Sequence, residues 1–281
     1  MTAAQAHEHA VAADEIAIVI LTCGRVHLLK QCVENVLAKA SAATREIVIW
    51  SNGATDGTEE YLESLEDPRL RIVHHPENIG QSAYVDAFSL TTSPYLLELD
   101  DDVIEAPQDW DLTLLRAFQS LPDVGFLAAG LVDNPHDLTA YAMYNLYDYT
   151  EVEESGVRLL LGPTGGYCAL TSRAVYEQVG GFRRERRRVF FLEDAAYVKK
   201  IQRAGYRAAT LIDLKVLHAG GPHYSKAPKE KDEFWRSYER RAARKRAAKH
   251  LLLAVPGVAS LNSKYGWFKP PEETYASQDL P

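Results

Sequence analysis

Continuous apolar runs alternate with amphipathic stretches along the first hundred residues. Residues 16–22 (Ile-Ala-Ile-Val-Ile-Leu-Thr) form an unbroken, largely β-branched run, the pattern of a strand covered on both faces. In residues 26–40, Leu29, Cys32, Val33, Val36 and Leu37 recur at helical spacing and predict an amphipathic helix. The alternation then repeats as strand 46–50, polar turn 51–57, helix 58–65, strand 70–74, helix 82–90 and strand 95–99. Strand–helix alternation at so short a period implies right-handed crossovers and a mostly parallel sheet. Ligands of such sheets bind beyond the carboxyl ends of the strands, so the informative residues should come just after each strand.

The second half is less regular. A helix is predicted over 110–119, a strand over 124–131, then a Tyr-rich stretch (Tyr141, Tyr144, Tyr147, Tyr149) and a strand over 157–161. After the turn 162–166 come a short extended piece, 168–171, a helix over 173–179 and a Gly180-Gly181 break. A helix over 195–204 closes on Gly205, a final strand covers 208–216 and runs on to His218, and a long basic helix occupies 229–253.

With 281 residues, the chain suits one α/β domain with appendages. The expected divisions are a loose extension (1–14), a main α/β domain (15–224, split near 102) and a basic helical extension with its tail (225–281). Lys plus Arg number 31 against 39 Asp plus Glu, a net charge of −8 that argues against a nucleic-acid binder. The basic helix departs from that balance, with nine Lys/Arg and four Asp/Glu in residues 229–250. Three cysteines without close pairing suggest free thiols in a reducing compartment. No run approaches the ~20 apolar residues of a membrane span, and the N-terminus lacks a signal-peptide pattern, so a cytoplasmic location is expected.

The strongest chemical signal is the triplet Asp100-Asp101-Asp102 at the end of an apolar strand. Adjacent carboxylates repel, so a fold keeps them together when something positive compensates, and oxygen-rich clusters favour Mg²⁺ or Mn²⁺. In an extended segment Asp100 and Asp102 project to one side, which suits a metal, leaving Asp101 for a ribose hydroxyl or a basic side chain. A solvated acidic turn is the alternative. Glu193 and Asp194 stand at the start of a helix behind apolar Phe190-Phe-Leu192, which suits either an N-cap or a half-buried general base. His218, at the end of the last strand, is a candidate third metal ligand.

Taken in order, these features resemble glycosyltransferase family 2, whose members are nucleotide-sugar-dependent, inverting enzymes of the GT-A fold. The marks are Thr22-Cys-Gly-Arg25, Ser51-Asn-Gly-Ala-Thr-Asp-Gly-Thr58, Glu77-Asn-Ile-Gly80, Leu99-Asp-Asp-Asp102, Thr164-Gly-Gly166, Gly180-Gly-Phe182, the Glu193-Asp194 pair and His218. The resemblance implies an α/β fold with a Rossmann-like, mostly parallel central sheet and helices on both faces. It implies that Thr22 and Arg25 flank a nucleobase, that Ser51, Asn52 and Asn78 line it, and that Asp100 or Asp101 touches the ribose. Asp102, with Asp100 and His218, would bind Mn²⁺ or Mg²⁺. Thr164, Gly165, Gly166, Tyr167, Arg187 and Arg188 would surround sugar and acceptor, and Asp194, beside Glu193, would deprotonate the acceptor hydroxyl. Many members carry Asp where this chain has Ser51, so the resemblance leaves uridine, thymidine and guanosine donors open.

The implied partners are a nucleotide-diphosphate sugar and a glycan, lipid-linked or small-molecule acceptor. A retaining transferase and a catalytically silent nucleotide-sugar-binding module are the rival functions. Two features lie outside the family pattern. Five arginines in residues 183–188 read either as a solvated loop or as a lid on phosphates. The basic helix reads as a contact, through 229–255, with an anionic inner membrane face, with the domain, or with a second subunit.

Overall fold

The computed structural model describes residues 14–226, apart from 146, 186 and 187, together with scattered helical residues between 233 and 248. The expectations for residues 1–13, for Arg187 and for most of 229–281 lie outside the described residues. The described residues up to Lys226 form one compact unit, and those from 233 onward belong to a second. No helix among the described residues is long and apolar enough to cross a membrane.

The elements of the first half are β1 (Ile16–Thr22), α1 (Val26–Lys39), β2 (Thr44–Asn52), α2 (Thr58–Glu63), β3 (Leu70–His75), α3 (Ala83–Ser89) and β4 (Tyr95–Asp100). A single 3-10 turn, Gly80–Ser82, leads into α3. The second half contains β5 (Val103–Glu105), α4 (Trp110–Gln119), β6 (Val124–Leu131), α5 (Leu138–Asn145), β7 (Thr150–Glu154) and β8 (Val157–Leu161). It ends with β9 (Cys168–Ser172), α6 (Arg173–Gln178), α7 (Glu193–Arg203) and β10 (Arg207–His218).

One sheet joins them in the order β3-β2-β1-β4-β9-β6-β10-β8-β7, with β5 paired to β10 off that path. Strands β1, β2, β3 and β4 pair in parallel, as do β6 and β10. Strand β9 runs antiparallel between β4 and β6, so those two point the same way and the centre of the sheet stays mostly parallel. Every side chain from Ile16 to Ile20 is fully buried, as the continuous apolar run requires. Because β1 sits between β2 and β4, its carboxyl end delivers Thr22 and the following turn to the same edge as Asp100.

Three elements have no counterpart in the sequence reading. Strand β5 is only three residues long, α5 lies within the Tyr-rich stretch, and β7 is a largely exposed edge strand (Thr-Glu-Val-Glu-Glu) with little apolar pattern. Helix α7 begins two residues earlier than predicted, so Glu193 and Asp194 form its first turn. His218 is the last residue of β10, where the sequence reading ended its final strand, and β5 extends the pairing as far as His218–Val103.

Candidate active site

The aspartate triplet falls where β4 ends and the chain turns into β5. That turn is fixed from two sides. The Asp100 N–H donates to the Tyr167 carbonyl at 2.9 Å, and the Ala219 N–H donates to the Asp102 carbonyl at 2.7 Å. The second bond, with the β5–β10 pairing, brings His218 over the triplet. Its Nε2 lies 3.1 Å from Asp102 Oδ1 and 3.8 Å from Asp100 Oδ2. One ligand atom from each of Asp100, Asp102 and His218 lies within 4.8 Å of the other two. His218 and Asp102 are buried, while the Asp100 side chain is 41% exposed, so the cluster opens to solvent on one side. Two carboxylates and an imidazole form a donor set that fits Mg²⁺ or Mn²⁺. Burial alone would lower the His218 pKa, but the carboxylates of Asp102, Asp100 and Asp137 outweigh it and hold the ring well above its ordinary value.

Arg25, at the N-cap of α1, reaches into the same turn and pairs with Asp101 and, at 2.5 Å, with Asp102 Oδ2. Burial works against its charge, and the three aspartates more than offset that, so its pKa moves up. Burial likewise pushes the Asp101 carboxyl up while Arg25 pulls it back. Asp101 is 0% exposed. The Asp101 carboxylate is thus beneath the surface and paired with a basic side chain, Arg25. Arg25, expected beside a base, is placed here as the cation that neutralises the triplet, and Thr22 is buried beneath the surface.

The other residues expected around a nucleobase also make internal contacts or are covered. Ser51 is 0% exposed. Asn52, also buried, spends its amide on the 3-10 turn: its Nδ2 donates to the Gly80 carbonyl at 3.1 Å and its Oδ1 accepts from the Ile79 N–H at 3.0 Å. Both residues shape the edge of the site from below. Asn78 is half-buried, receiving the Gly80 N–H on Oδ1 at 2.8 Å and donating to Cys23 Sγ at 3.2 Å.

Asp194 sits in the first turn of α7, where the helix dipole favours negative charge. Its Oδ1 accepts from the Ala195 N–H at 2.6 Å and its Oδ2 from the Gly166 N–H at 3.3 Å. Burial raises its pKa, the two N–H groups pull it back, and Asp100 adds to the rise. A half-buried carboxylate with a raised pKa and a fixed orientation is equipped to accept a proton. Gly166 and Tyr167 link it to the triplet, since Tyr167 carries the carbonyl that binds the Asp100 N–H.

Gly166 leaves room for a neighbouring side chain. A Cβ there would stand 2.6 Å from Glu98 Oε2, so the glycine admits a buried carboxyl from the middle of β4. Sequence reading missed Glu98, because an acid inside an apolar strand gives no motif. Burial, then the charges of Glu193, Asp100 and Asp194, drive its pKa well up, with the Tyr84 hydroxyl giving partial relief. Gly165 is different. A Cβ on it would face Asp194 Oδ2 at 3.8 Å, beside the Tyr167 ring. Thr164 is buried with its hydroxyl on the Gly162 carbonyl, and Tyr167 donates to the Ala129 carbonyl at 2.7 Å while its ring packs on His218. Both side chains make contacts within the protein, and the Tyr167 ring supports the histidine.

The arginine-rich segment is docked on α3. Arg184 forms a two-pronged pair with Asp86, at 2.6 and 2.8 Å, and the Ser82 hydroxyl bonds the backbone of Glu185 in both directions at 2.9 Å. Gly80 permits this approach: it has φ +62°, and any Cβ would collide with the Val189 carbonyl. Arg183 pairs with Glu185, and Arg188 is exposed. Of the five arginines, Arg183 and Arg184 are paired with protein carboxylates.

No curated protein matches the chain. Solved structures with the same fold include the mannosyltransferase PcManGT from Pyrobaculum calidifontis in complex with GDP-Man and Mn²⁺. It is 20% identical with a TM-score of 0.52, covering 96% of this chain and 82% of that one. GalNAc-T7 with UDP, GalNAc and Mn²⁺ is 12% identical with a TM-score of 0.56, covering 74% of this chain but 45% of its own. S. aureus TarS 1-349 in complex with UDP-GlcNAc is 16% identical with a TM-score of 0.55, covering 76% and 61% respectively. This chain thus corresponds to less than two thirds of the last two. Residues 17–180, which carry β1 to α6 and the aspartate triplet, match the family described as Glycosyl transferase family 2. Over more than half its length, then, this chain belongs to glycosyl transferase family 2 and is a GT-A glycosyltransferase.

Proposed function

We propose that the enzyme transfers a sugar from a nucleotide-diphosphate sugar to an acceptor hydroxyl with inversion, using a divalent cation held by Asp100, Asp102 and His218 and Asp194 as base. The observation that carries this reading is the meeting of two carboxylates and an imidazole within 4.8 Å, beside the turn that positions Asp194. A bound divalent cation supplies Lewis-acid neutralisation of the diphosphate charge as the sugar–phosphate bond breaks. The chain's own residues prepare for that charge. Arg25 holds Asp101 and one oxygen of Asp102, leaving the other Asp102 oxygen and the His218 Nε2 facing each other. Asp194 takes the proton of the acceptor hydroxyl, and its raised pKa makes it a better base than an exposed aspartate. The Gly166 and Ala195 N–H groups keep the carboxylate from rotating away.

Donors of this class occur with relatives of the same fold, with GDP-Man in one and UDP-GlcNAc in another, each below 25% identity. The donor is therefore to be found by experiment. Thermal-shift measurements with UDP-, GDP- and dTDP-sugars and Mn²⁺ identify it, because a ligand of the native state raises Tm by mass action. With that donor, Asp194→Asn is expected to abolish transfer and leave Mn²⁺-dependent nucleotide binding intact. Turnover that survives the substitution, or a product with the donor's anomeric configuration, contradicts Asp194 as an inverting base.

A further inference from the structure

Asp137 stands 81 residues before His218 and carries no motif, yet it is the residue on which the His218 ring rests. Its Oδ1 is 2.9 Å from His218 Nδ1. A carboxylate can only accept there, so Nδ1 carries a proton whether or not Nε2 does, and Nε2 is the ring atom that faces Asp102 and Asp100 and would turn its lone pair to a bound cation. The same Oδ1 accepts the Thr139 N–H at 2.9 Å, which caps α5. Capping alone does not account for the residue. Ser or Asn would cap as well, whereas Asp137 is fully buried and its Oδ2 has no hydrogen-bond partner among the described residues. A fully buried acid with one unsatisfied oxygen is costly unless its charge serves a neighbour.

The backbone around the pair shows the same constraint independently. The Leu138 N–H donates to the Gly220 carbonyl at 2.8 Å, fastening the start of α5 to the chain just after β10. A Cβ at Gly220 would lie 2.3 Å from His218 Cε1 and 3.1 Å from Asp137 Oδ1. Only a residue without a side chain lets ring and carboxylate meet there.

We propose that Asp137 is the positioning residue of the metal centre: it fixes the tautomer and orientation of His218 so that Nε2 points at the ligand oxygens of Asp100 and Asp102. The proposal rests on the reading that those three residues hold a divalent cation. Carboxylates behind metal-binding histidines act in this way, and their loss typically weakens metal affinity by about 10–100-fold.

The test is Mn²⁺ alone, titrated into the full-length enzyme and followed by the electron paramagnetic resonance signal of the free ion. Asp137→Ser keeps a helix-capping oxygen but is too short to reach the ring, so it separates the two roles. Its Kd for Mn²⁺ is expected to rise about 10–100-fold. Asp137→Asn, which can keep both contacts, should recover most of the affinity. In a His218→Ala background the serine substitution should add nothing, because its effect passes through the ring. Wild-type affinity in Asp137→Ser, with affinity lost in His218→Ala, overturns the positioning role and leaves the metal site standing. Wild-type affinity in His218→Ala overturns the metal reading and the proposal together. Should Asp137→Ser fail to fold, Asp137→Thr decides instead, since it too caps α5 with a hydroxyl that is too short to reach the ring. Weakened Mn²⁺ binding there supports the proposal, and unchanged binding overturns it.

Discussion

Strands β3, β2, β1 and β4 and the strands beyond them contribute to this enzyme in different ways. The first four pair in parallel with regular register, and the polar residues at their carboxyl ends are largely turned to internal use. Arg25 neutralises Asp101, Asn52 holds the 3-10 turn, and Ser51 is covered. Beyond β4 the sheet mixes directions, and it is there that distant segments converge on the triplet. β5 and β10 bring up His218, the loop before α5 brings Asp137, and the turn before β9 holds Asp194. A regular half makes a rigid edge; an irregular half furnishes its reacting groups. Damage to the first should appear chiefly as lost stability, and damage to the second as lost chemistry in a folded protein.

The largest effect is expected at Asp194. Asp194→Asn should lower kcat by about 10²–10⁴, the usual range for a general base. Because burial raises the Asp194 pKa, wild-type activity should climb with pH through a midpoint above the ordinary aspartate value, and a pH–rate profile checks this. Stability has the opposite sign. The native state holds the proton more tightly than the unfolded chain, so this carboxyl's contribution is present at low pH and lost as pH rises through the folded pKa. Asp194→Asn should therefore raise Tm at neutral pH while removing activity, and a lower Tm would show that Asp194 is structural.

Next comes Arg25. Arg25→Met strands the fully buried Asp101 without its partner, a change that costs about 3–5 kcal/mol when a buried pair is broken. Denaturant unfolding measures it, and a loss below about 1 kcal/mol would mean that the pair is effectively solvated. Asn52→Ala should cost less, about 1–3 kcal/mol, because it leaves the Ile79 N–H and the Gly80 carbonyl without their partner. Here a rise in donor KM without a change in kcat would show that the 3-10 turn shapes the nucleotide edge. The smallest effect belongs to Arg184→Ala, whose pair with Asp86 is partly exposed and worth under about 1 kcal/mol. If that change raises the donor KM severalfold at unchanged stability, the arginine segment does take part in binding.

The same division governs what could be read from the chain. Runs such as residues 16–22 fix their own strand, because burial on both faces needs nothing from elsewhere. The boundaries of α4, β6 and β8 were equally legible, each being bounded by a change from apolar periodicity to turn residues. Asp100, Asp102, His218 and Asp194 could be named because an acid or imidazole at a strand or helix end is a local signal. Asp137 and Glu98 could not. One is a capping residue whose meaning depends on a partner 81 positions away, and the other is an acid hidden in an apolar strand. The contacts of Gly166 with Glu98 and of Tyr167 with Ala129 were not legible either, since only the packed structure shows what fills the space beside them. Local pattern identifies elements and end residues. It does not say whether a side chain there faces solvent or another part of the protein.

Anomalous diffraction from crystals grown with Mn²⁺ and the nucleoside diphosphate that stabilises the enzyme tests the central claim most directly. A divalent cation that carries the leaving group should give a peak coordinated by Asp102 and His218, with diphosphate oxygens in its shell and Asp100 beside it. A nucleotide bound with no peak at these residues, or a peak held by other side chains, would contradict it.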